Sequence, residues 1–243
     1  MIWLALLALG LGAGTLSGIV GFGASIMLMP ALMFAFGPQE AVPIMAIAAI
    51  LANFSRAAVW WREIDWRANA YYCATAVPMA ALGARTLLSL DARLVEGILG
   101  FLFLFMVPAR RWLFGRGLRV EAWHLIIVGA VIGFLSGLVA STGPINTPFF
   151  LAYGLVKGAY LATEALGSLA IGITKALTFR RFDALPIETI GKGLLIGASL
   201  MIGSRLAKGL VLRLDADHFR LLMDVLLVCA GLVLLWGAFT LPH

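Results

Sequence analysis

Long apolar segments, divided by short links that carry turn residues or charges, limit what this chain can fold into. The segments run approximately over residues 2–20, 24–36, 41–61, 68–88, 94–109, 122–139, 145–156, 159–179, 185–205 and 219–240. Only 12% of the 243 residues are charged and 62% are hydrophobic, whereas about a quarter of a soluble domain is charged. Several segments reach the roughly 20 residues that cross a bilayer. The sequence therefore predicts an all-α integral membrane protein.

The basic residues are spread over the links and do not form one patch. The net charge is +6, and the densest basic group is Arg110, Arg111, Arg116 and Arg119. Such a group is typical of a cytoplasmic loop. The charge thus indicates an orientation in the membrane, and we expect no nucleic-acid partner.

Short motifs recur in the same order in the two halves of the chain. They are Leu16-Ser17-Gly18 with Leu135-Ser136-Gly137, Arg56 with Lys175, Gly83-Ala84-Arg85 with Gly203-Ser204-Arg205, and Leu90-Asp91-Ala92 with Leu214-Asp215-Ala216. The offsets are 119, 119, 120 and 124 residues. An ordered series predicts a duplication, with repeat 1 over 1–119 and repeat 2 over 120–243. Each repeat is expected to hold a broken helix segment and three further helices, about eight helical units in one membrane domain.

Each predicted repeat opens with a segment rich in small residues. The first reads GLGAGTLSGIVGFGASIMLMP and the second GAVIGFLSGLVASTGPINTPFF. Glycine and proline in mid-segment weaken a helix, and broken backbone inside a membrane is tolerated where it lines a cavity. Paired breaks point to a transporter binding site. The alternative is close helix packing, which Gly14-x-x-x-Gly18 fits well.

Polar residues in and near the two breaks are candidates for substrate binding. Hydroxyl groups and free backbone N–H groups can hold an oxyanion without a buried charge. The candidates are Ser17, Gly21, Gly23, Ser25, Asn53, Ser136, Ser141, Thr142, Gly143 and Asn146. The alternative for each hydroxyl is a helix cap or a bond to the carbonyl four residues back.

Four cations occupy matched positions, Arg56 with Lys175 and Arg85 with Arg205. Snorkelling to the headgroups explains any one of them. The matching favours a role in attracting or gating anions at the two mouths of a pathway.

Glu164 lies in an apolar stretch and is a candidate proton carrier, since an ionisable residue inside a membrane is a functional hypothesis by default. The alternatives are an ion pair with Lys157 or Lys175, or a place at the interface six residues into its helix.

The glycine-rich opening GAGTLSGIVGFGASIMLMPAL, its echo GFLSGLVASTGPINTPFF and the paired GAR and GSR motifs resemble the TauE/SafE family, the sulfite-exporter group. The resemblance covers essentially the whole chain. It implies a multi-pass protein of the bacterial inner membrane that exports sulfite, organosulfonates or related small sulfur-containing anions. The chain departs from the family's pattern at Ala24, where another glycine is common, so the anion is left open.

Motifs for rival classes are missing from the sequence. There is no H-E-x-x-H for a metalloprotease, no Walker motif, and no histidine placed to activate a serine inside the membrane. We expect no catalytic residue, metal or cofactor, and as partners a small anion, the bilayer and a second copy in a candidate homodimer. An intramembrane structural or assembly subunit and a transporter of another organic anion remain the alternatives. Inverted repeats are favoured over parallel ones because they bring the two breaks face to face.

Overall fold

The computed structural model describes residues 2–20, 23–115, 119–139, 142–210 and eight positions between 224 and 236. The described ranges contain α1 (Ile2–Val20), α2 (Ala24–Phe36), α3 (Pro38–Val59), a 3-10 turn (Trp61–Glu63), α4 (Trp66–Leu88), α5 (Ala92–Gly115), α6 (His124–Leu138), α7 (Gly143–Tyr153), α8 (Lys157–Arg181) and α9 (Ile187–Leu210). All eight positions beyond 223 are helical as well, and no strand occurs among the described residues. The prediction of an all-α protein is confirmed for the described residues.

Both glycine-rich segments are interrupted helices. α1 ends at Val20 and α2 begins after Gly23, whose φ of 120° is a conformation that favours glycine. α6 ends at Leu138, Val139 turns to an extended conformation, and α7 begins at Gly143 with a proline in its first turn. Proline suits a first turn because it has no N–H to satisfy. If each interrupted pair counts as one unit, α1 to α9 form seven units, and the helical positions of 224–236 lie where an eighth is expected.

Small residues allow the helices to approach closely. α4 packs along α6, and α1 packs along α9. A Cβ at Gly133 would meet the backbone of Ala76, and one at Gly14 would meet the backbone of Leu200. The close-packing interpretation therefore explains these glycines, whereas the interruptions lie beyond them, between the end of α1 and the start of α2 and between the end of α6 and the start of α7.

The long helices α3 and α8 cross at the centre and run antiparallel. Just beyond the C-terminal end of α3, the backbone N–H of Asp65 donates to Thr163 Oγ1 at 2.9 Å, near the start of α8. At the opposite end of the bundle, Glu40 near the start of α3 and Asp183 just after α8 line one depression. α9 packs against α3, and α4 packs against α8.

The surface carries many large apolar side chains, and a few charged side chains lie inside the apolar core. Large apolar side chains point outwards, such as Phe34 at 88% exposed and Leu4 at 75%, while Arg56 and Lys175 lie inside at 5% and 3%. Charged groups are almost never buried without a partner or a function. Two described helices, Gln39–Val59 and Ile187–Leu206, are long and apolar enough to cross a membrane. Shorter apolar helices cover Ile2–Gly18, Ala24–Phe36, Gly97–Ala109 and His124–Leu138.

Candidate functional site

A cavity of about 70 Å³ lies where the two helix interruptions meet α3 and α8. Its lining comes from the start of α2, the start of α7, the ends of α1 and α6, and the facing sides of the two crossing helices. The lining residues are Ser17, Gly23, Ala24, Ser25, Met45, Ala46, Ala49, Ala52, Asn53, Arg56, Ser136, Thr142, Gly143, Asn146, Glu164, Ser168, Ile171, Gly172 and Lys175.

Two helix N-termini face this cavity. α2 begins at Ala24 and α7 at Gly143, and no side chain of the described residues caps either start. The first N–H groups of a helix have no acceptor within it, and the aligned peptide dipoles place about half a positive charge there. Both ends are therefore suited to an anion.

Arg56 lies inside the cavity wall and makes a buried ion pair. Its Nη2 donates to Glu164 Oε2 at 2.6 Å and to Asn53 Oδ1 at 2.6 Å. Its Nη1 approaches the main-chain oxygen of Ser17 at 3.5 Å, the outer limit of a hydrogen bond. Its Nε is buried and has no partner among the described residues. At least one charged donor of Arg56, the Nε–H, is thus left for a ligand.

Lys175 belongs to α8, and its side chain reaches the C-terminal end of α6. Its Nζ donates to the main-chain oxygens of Ser136 and Val139, each at 2.7 Å. The C-terminal end of a helix stabilises a cation. An ammonium group has three N–H donors, so two are used and one is left over. No carboxylate of the described residues is within ion-pair distance of this Nζ.

Glu164 is buried at 3% exposed, and both of its oxygens are bonded. Oε2 accepts from Arg56, and Oε1 accepts from Ser168 Oγ at 2.6 Å. The partner is therefore Arg56 rather than Lys157 or Lys175, and the carboxylate lies inside the helix bundle. A lone buried carboxylate would be costly, so this pairing explains how it is tolerated.

Hydroxyl groups hold the second interruption in shape. The side chains of Ser136, in the last turn of α6, and Thr142, just before α7, are hydrogen-bonded to each other. Thr147 Oγ1 donates to the oxygen of Gly143 at 2.7 Å, which is the local bond expected of a helical threonine. The side-chain oxygen of Asn146 is buried without a partner among the described residues. The site thus contains both structural hydroxyl bonds and unused polar atoms.

Most residues predicted from the sequence come together here. Ser17, Gly23, Ser25, Asn53, Ser136, Thr142, Gly143, Asn146, Arg56, Glu164 and Lys175 all line the cavity. Gly21 and Ser141 lie outside the described residues. Arg56 and Lys175 were expected at the mouths of a pathway, but they are buried in the cavity wall.

Arg85 and Arg205 lie away from the cavity. Arg85 stands over the ring of Phe182 at 5.8 Å and lines a larger depression of about 880 Å³ at the end of the bundle where α4 and α8 finish. Arg205 is exposed on α9. The structure therefore separates the two matched pairs of cations into an inner pair and an outer pair.

Several lining residues were missed by reasoning from the sequence. Ser168 follows Glu164 by four residues, so the two share a helix face, and this spacing was the available signal. Ala46, Ala49 and Ala52 lie on the face of α3 that carries Asn53 and Arg56. Their signal was weak because small apolar residues are common throughout the chain.

An all-helical chain with two interrupted helices, whose starts and buried cations meet at an interior cavity, has the architecture of a membrane transporter. The chain belongs to the sulfite exporter TauE/SafE family, whose model matches residues 6–234. Comparisons with curated proteins and with solved structures gave no match. Family membership makes this a membrane transporter of the sulfite-exporter type and implies that it is not an enzyme.

Proposed function

We propose that this protein exports a small sulfur oxyanion, sulfite or an organosulfonate, across the inner membrane of a bacterium. The observation that carries the proposal is the cavity between the two interruptions, where Arg56 and Lys175 each keep an unused charged N–H. The sulfur chemistry comes from the family, and the preference for a small anion comes from the size and donors of the cavity.

The binding residues have separate roles in this proposal. Arg56 and Lys175 attract the anion and donate to it. Ser25 and the starts of α2 and α7 supply further N–H and O–H donors. Arg85 and Arg205, which lie outside the cavity, raise the local anion concentration. Glu164 is the candidate carrier of a proton, should a proton accompany the anion.

We further propose that the halves 1–119 and 120–243 are repeats of opposite orientation. If α3 and α8 are equivalent helices, their antiparallel crossing favours inversion, because parallel repeats would orient them alike. If α1 is equivalent to α6 and α4 to α9, the packing of α1 on α9 is the counterpart of the packing of α6 on α4. Inversion also brings the two helix starts to one cavity, as expected for a transporter.

Export requires no other energy source if the substrate is an anion. The inside-negative potential drives each negative charge outwards at about 2.3 kcal/mol per 100 mV. A pathway that carries the negative charge of the anion from the cytoplasm to the outside is therefore sufficient for net export.

Flux into and out of liposomes tests the proposal. Purified protein is reconstituted and offered sulfite, sulfoacetate, thiosulfate and a small carboxylate, with protein-free liposomes as the control. We expect saturable transport of at least one of the sulfur anions. A cation and a sugar are offered in the same assay. Saturable flux of either one, with no response to any anion, would overturn the proposal, and a structural subunit would give no flux at all.

A further inference from the structure

We propose that Glu164 sets the charge of the substrate, so that the cavity takes monovalent sulfur oxyanions, such as a monosulfonate or hydrogen sulfite, in preference to divalent ones. This inference rests on the proposed transport of an anion and names the class of anion more narrowly.

The net charge of the cavity wall follows from its ionisable residues. Among its described lining residues only Arg56, Lys175 and Glu164 are ionisable. Arg56 and Glu164 are in contact at 2.6 Å and balance each other. Lys175 bonds two neutral carbonyl groups and is not balanced. The wall therefore carries one positive charge in excess.

The helix ends do not alter this balance. The starts of α2 and α7 each contribute about half a positive charge. The C-terminal ends of α1 and α6, at Ser17 and Ser136, reach the same cavity and contribute about half a negative charge each. The four ends cancel to first order, so the excess remains one positive charge.

The unused donors show how an anion can bind without breaking the ion pair. Arg56 Nε has no partner, while Nη2 of the same group is occupied by Glu164 and Asn53. The third N–H of Lys175 is a further unused charged donor. An anion that accepts from these two donors leaves Glu164 in place and ionised.

A second negative charge on the ligand meets the Glu164 carboxylate. Inside a protein this repulsion is weakly screened. A monoanion makes the site neutral, whereas a dianion leaves it negative in an environment where unbalanced charge is costly. Removing the charge of Glu164 raises the excess to two, and the site then suits a dianion better.

Methanesulfonate and sulfate provide the test, because they share a small tetrahedral shape and differ by one charge. Calorimetric titration of the purified wild type is expected to show methanesulfonate binding at least about tenfold more tightly. Glu164→Gln is expected to shift the affinity ratio towards sulfate by at least about tenfold. Glu164→Asp, which keeps the charge, should keep the wild-type preference.

The double variant Arg56→Gln/Glu164→Gln covers the case in which the single variant does not fold. It removes a neutral pair and leaves the excess charge at one. Both affinities should fall because Arg56 is lost, while the ratio stays within about threefold of the wild type.

A wild type that prefers sulfate, or a ratio unchanged in Glu164→Gln, would overturn this inference while leaving anion transport standing. A changed preference in the double variant would do the same. Absence of binding or flux for every anion in both panels would instead overturn the proposed function, and this inference with it.

Discussion

The Nζ of Lys175 and the main-chain oxygen of Ser136 are joined by a 2.7 Å hydrogen bond that spans 39 residues of the chain. The same separation divides Arg56 from Ser17, whose main-chain oxygen its Nη1 approaches. Each cation thus meets the end of the first helix of its own half. In both halves the serine of the repeated Leu-Ser-Gly motif provides the main-chain oxygen that faces the buried cation.

We predict that Lys175→Met lowers the affinity for the transported anion by about tenfold to a hundredfold, since a hydrogen bond to a charged group contributes about 1.5–3 kcal/mol. Lys175→Arg should retain most of the binding. Lys192→Met is the matched control, because Lys192 pairs with Glu40 outside the cavity. Anion titration measures all three, and equal losses in Lys175→Met and Lys192→Met would remove Lys175 from the site.

Inverted repeats make a prediction about accessibility. Gln39 at the start of α3 and Val156 before α8 are exposed and occupy corresponding links. With Cys73 and Cys229 replaced by alanine, single cysteines at Gln39 and Val156 should be labelled from opposite sides of the membrane. A cysteine at Gly115, beside the arginine-rich loop, should be labelled from the cytoplasm.

Labelling of Gln39→Cys and Val156→Cys from one side would favour parallel repeats. Labelling of Gly115→Cys only from the periplasm would overturn the proposed orientation. A membrane-permeant reagent applied to each variant shows that the introduced cysteine is reactive.

Filling the cavity is expected to stop transport without preventing insertion. Gly143→Leu adds four carbon atoms at the start of α7, in the lining of a cavity of about 70 Å³. Gly191→Leu adds the same group on α9, where a Cβ would meet no atom within 4 Å. Flux should be lost in the first variant and kept in the second. Full flux in Gly143→Leu would show that the anion does not pass this position.

The sequence predicted the helices and the polar residues of the interruptions because both depend on local chemistry. Apolar runs define the helices, and Gly23 and Thr142 lie where the chain cannot continue one. The grouping of Ser25 with Thr142 and Asn146 follows from the interruptions being paired. Both the helices and the paired interruptions can therefore be predicted from the amino-acid sequence.

The ion pair between Arg56 and Glu164 was not predicted, because its partners are 108 residues apart and belong to non-equivalent positions. No periodicity or repeat relates them, and only the crossing of α3 with α8 brings them together. The depth of Lys175 was missed for a similar reason. A lysine near a helix end has the same sequence pattern whether its side chain snorkels to the headgroups or is buried. Lys175 is buried because the end of α6 lies within reach of its Nζ.

Close packing between α4 and α6 gives a prediction about stability. Gly133→Ala would place a Cβ 2.6 Å from the Cα of Ala76, so the helices must move apart at a cost of about 1–3 kcal/mol. Gly12→Ala is the control, since its Cβ would meet nothing within 4 Å, and alanine should be neutral or stabilising there. Thermal unfolding in detergent compares them, and equal midpoints would contradict the packing.

The ion pair inside the cavity wall should show strong coupling in a double-mutant cycle. Removing one partner of a buried pair leaves an uncompensated charge and costs about 3–5 kcal/mol, whereas removing both costs much less than the sum. We therefore expect Arg56→Gln and Glu164→Gln each to lower the free energy of unfolding more than the double variant does. The comparison pair is Lys192 with Glu40, which are 25% and 33% exposed and also 2.6 Å apart. Its coupling, from Lys192→Gln and Glu40→Gln, should not exceed about 1 kcal/mol. Additive effects at Arg56 and Glu164 would mean that water screens the pair, and the repulsion inferred between Glu164 and a divalent anion would then be weak.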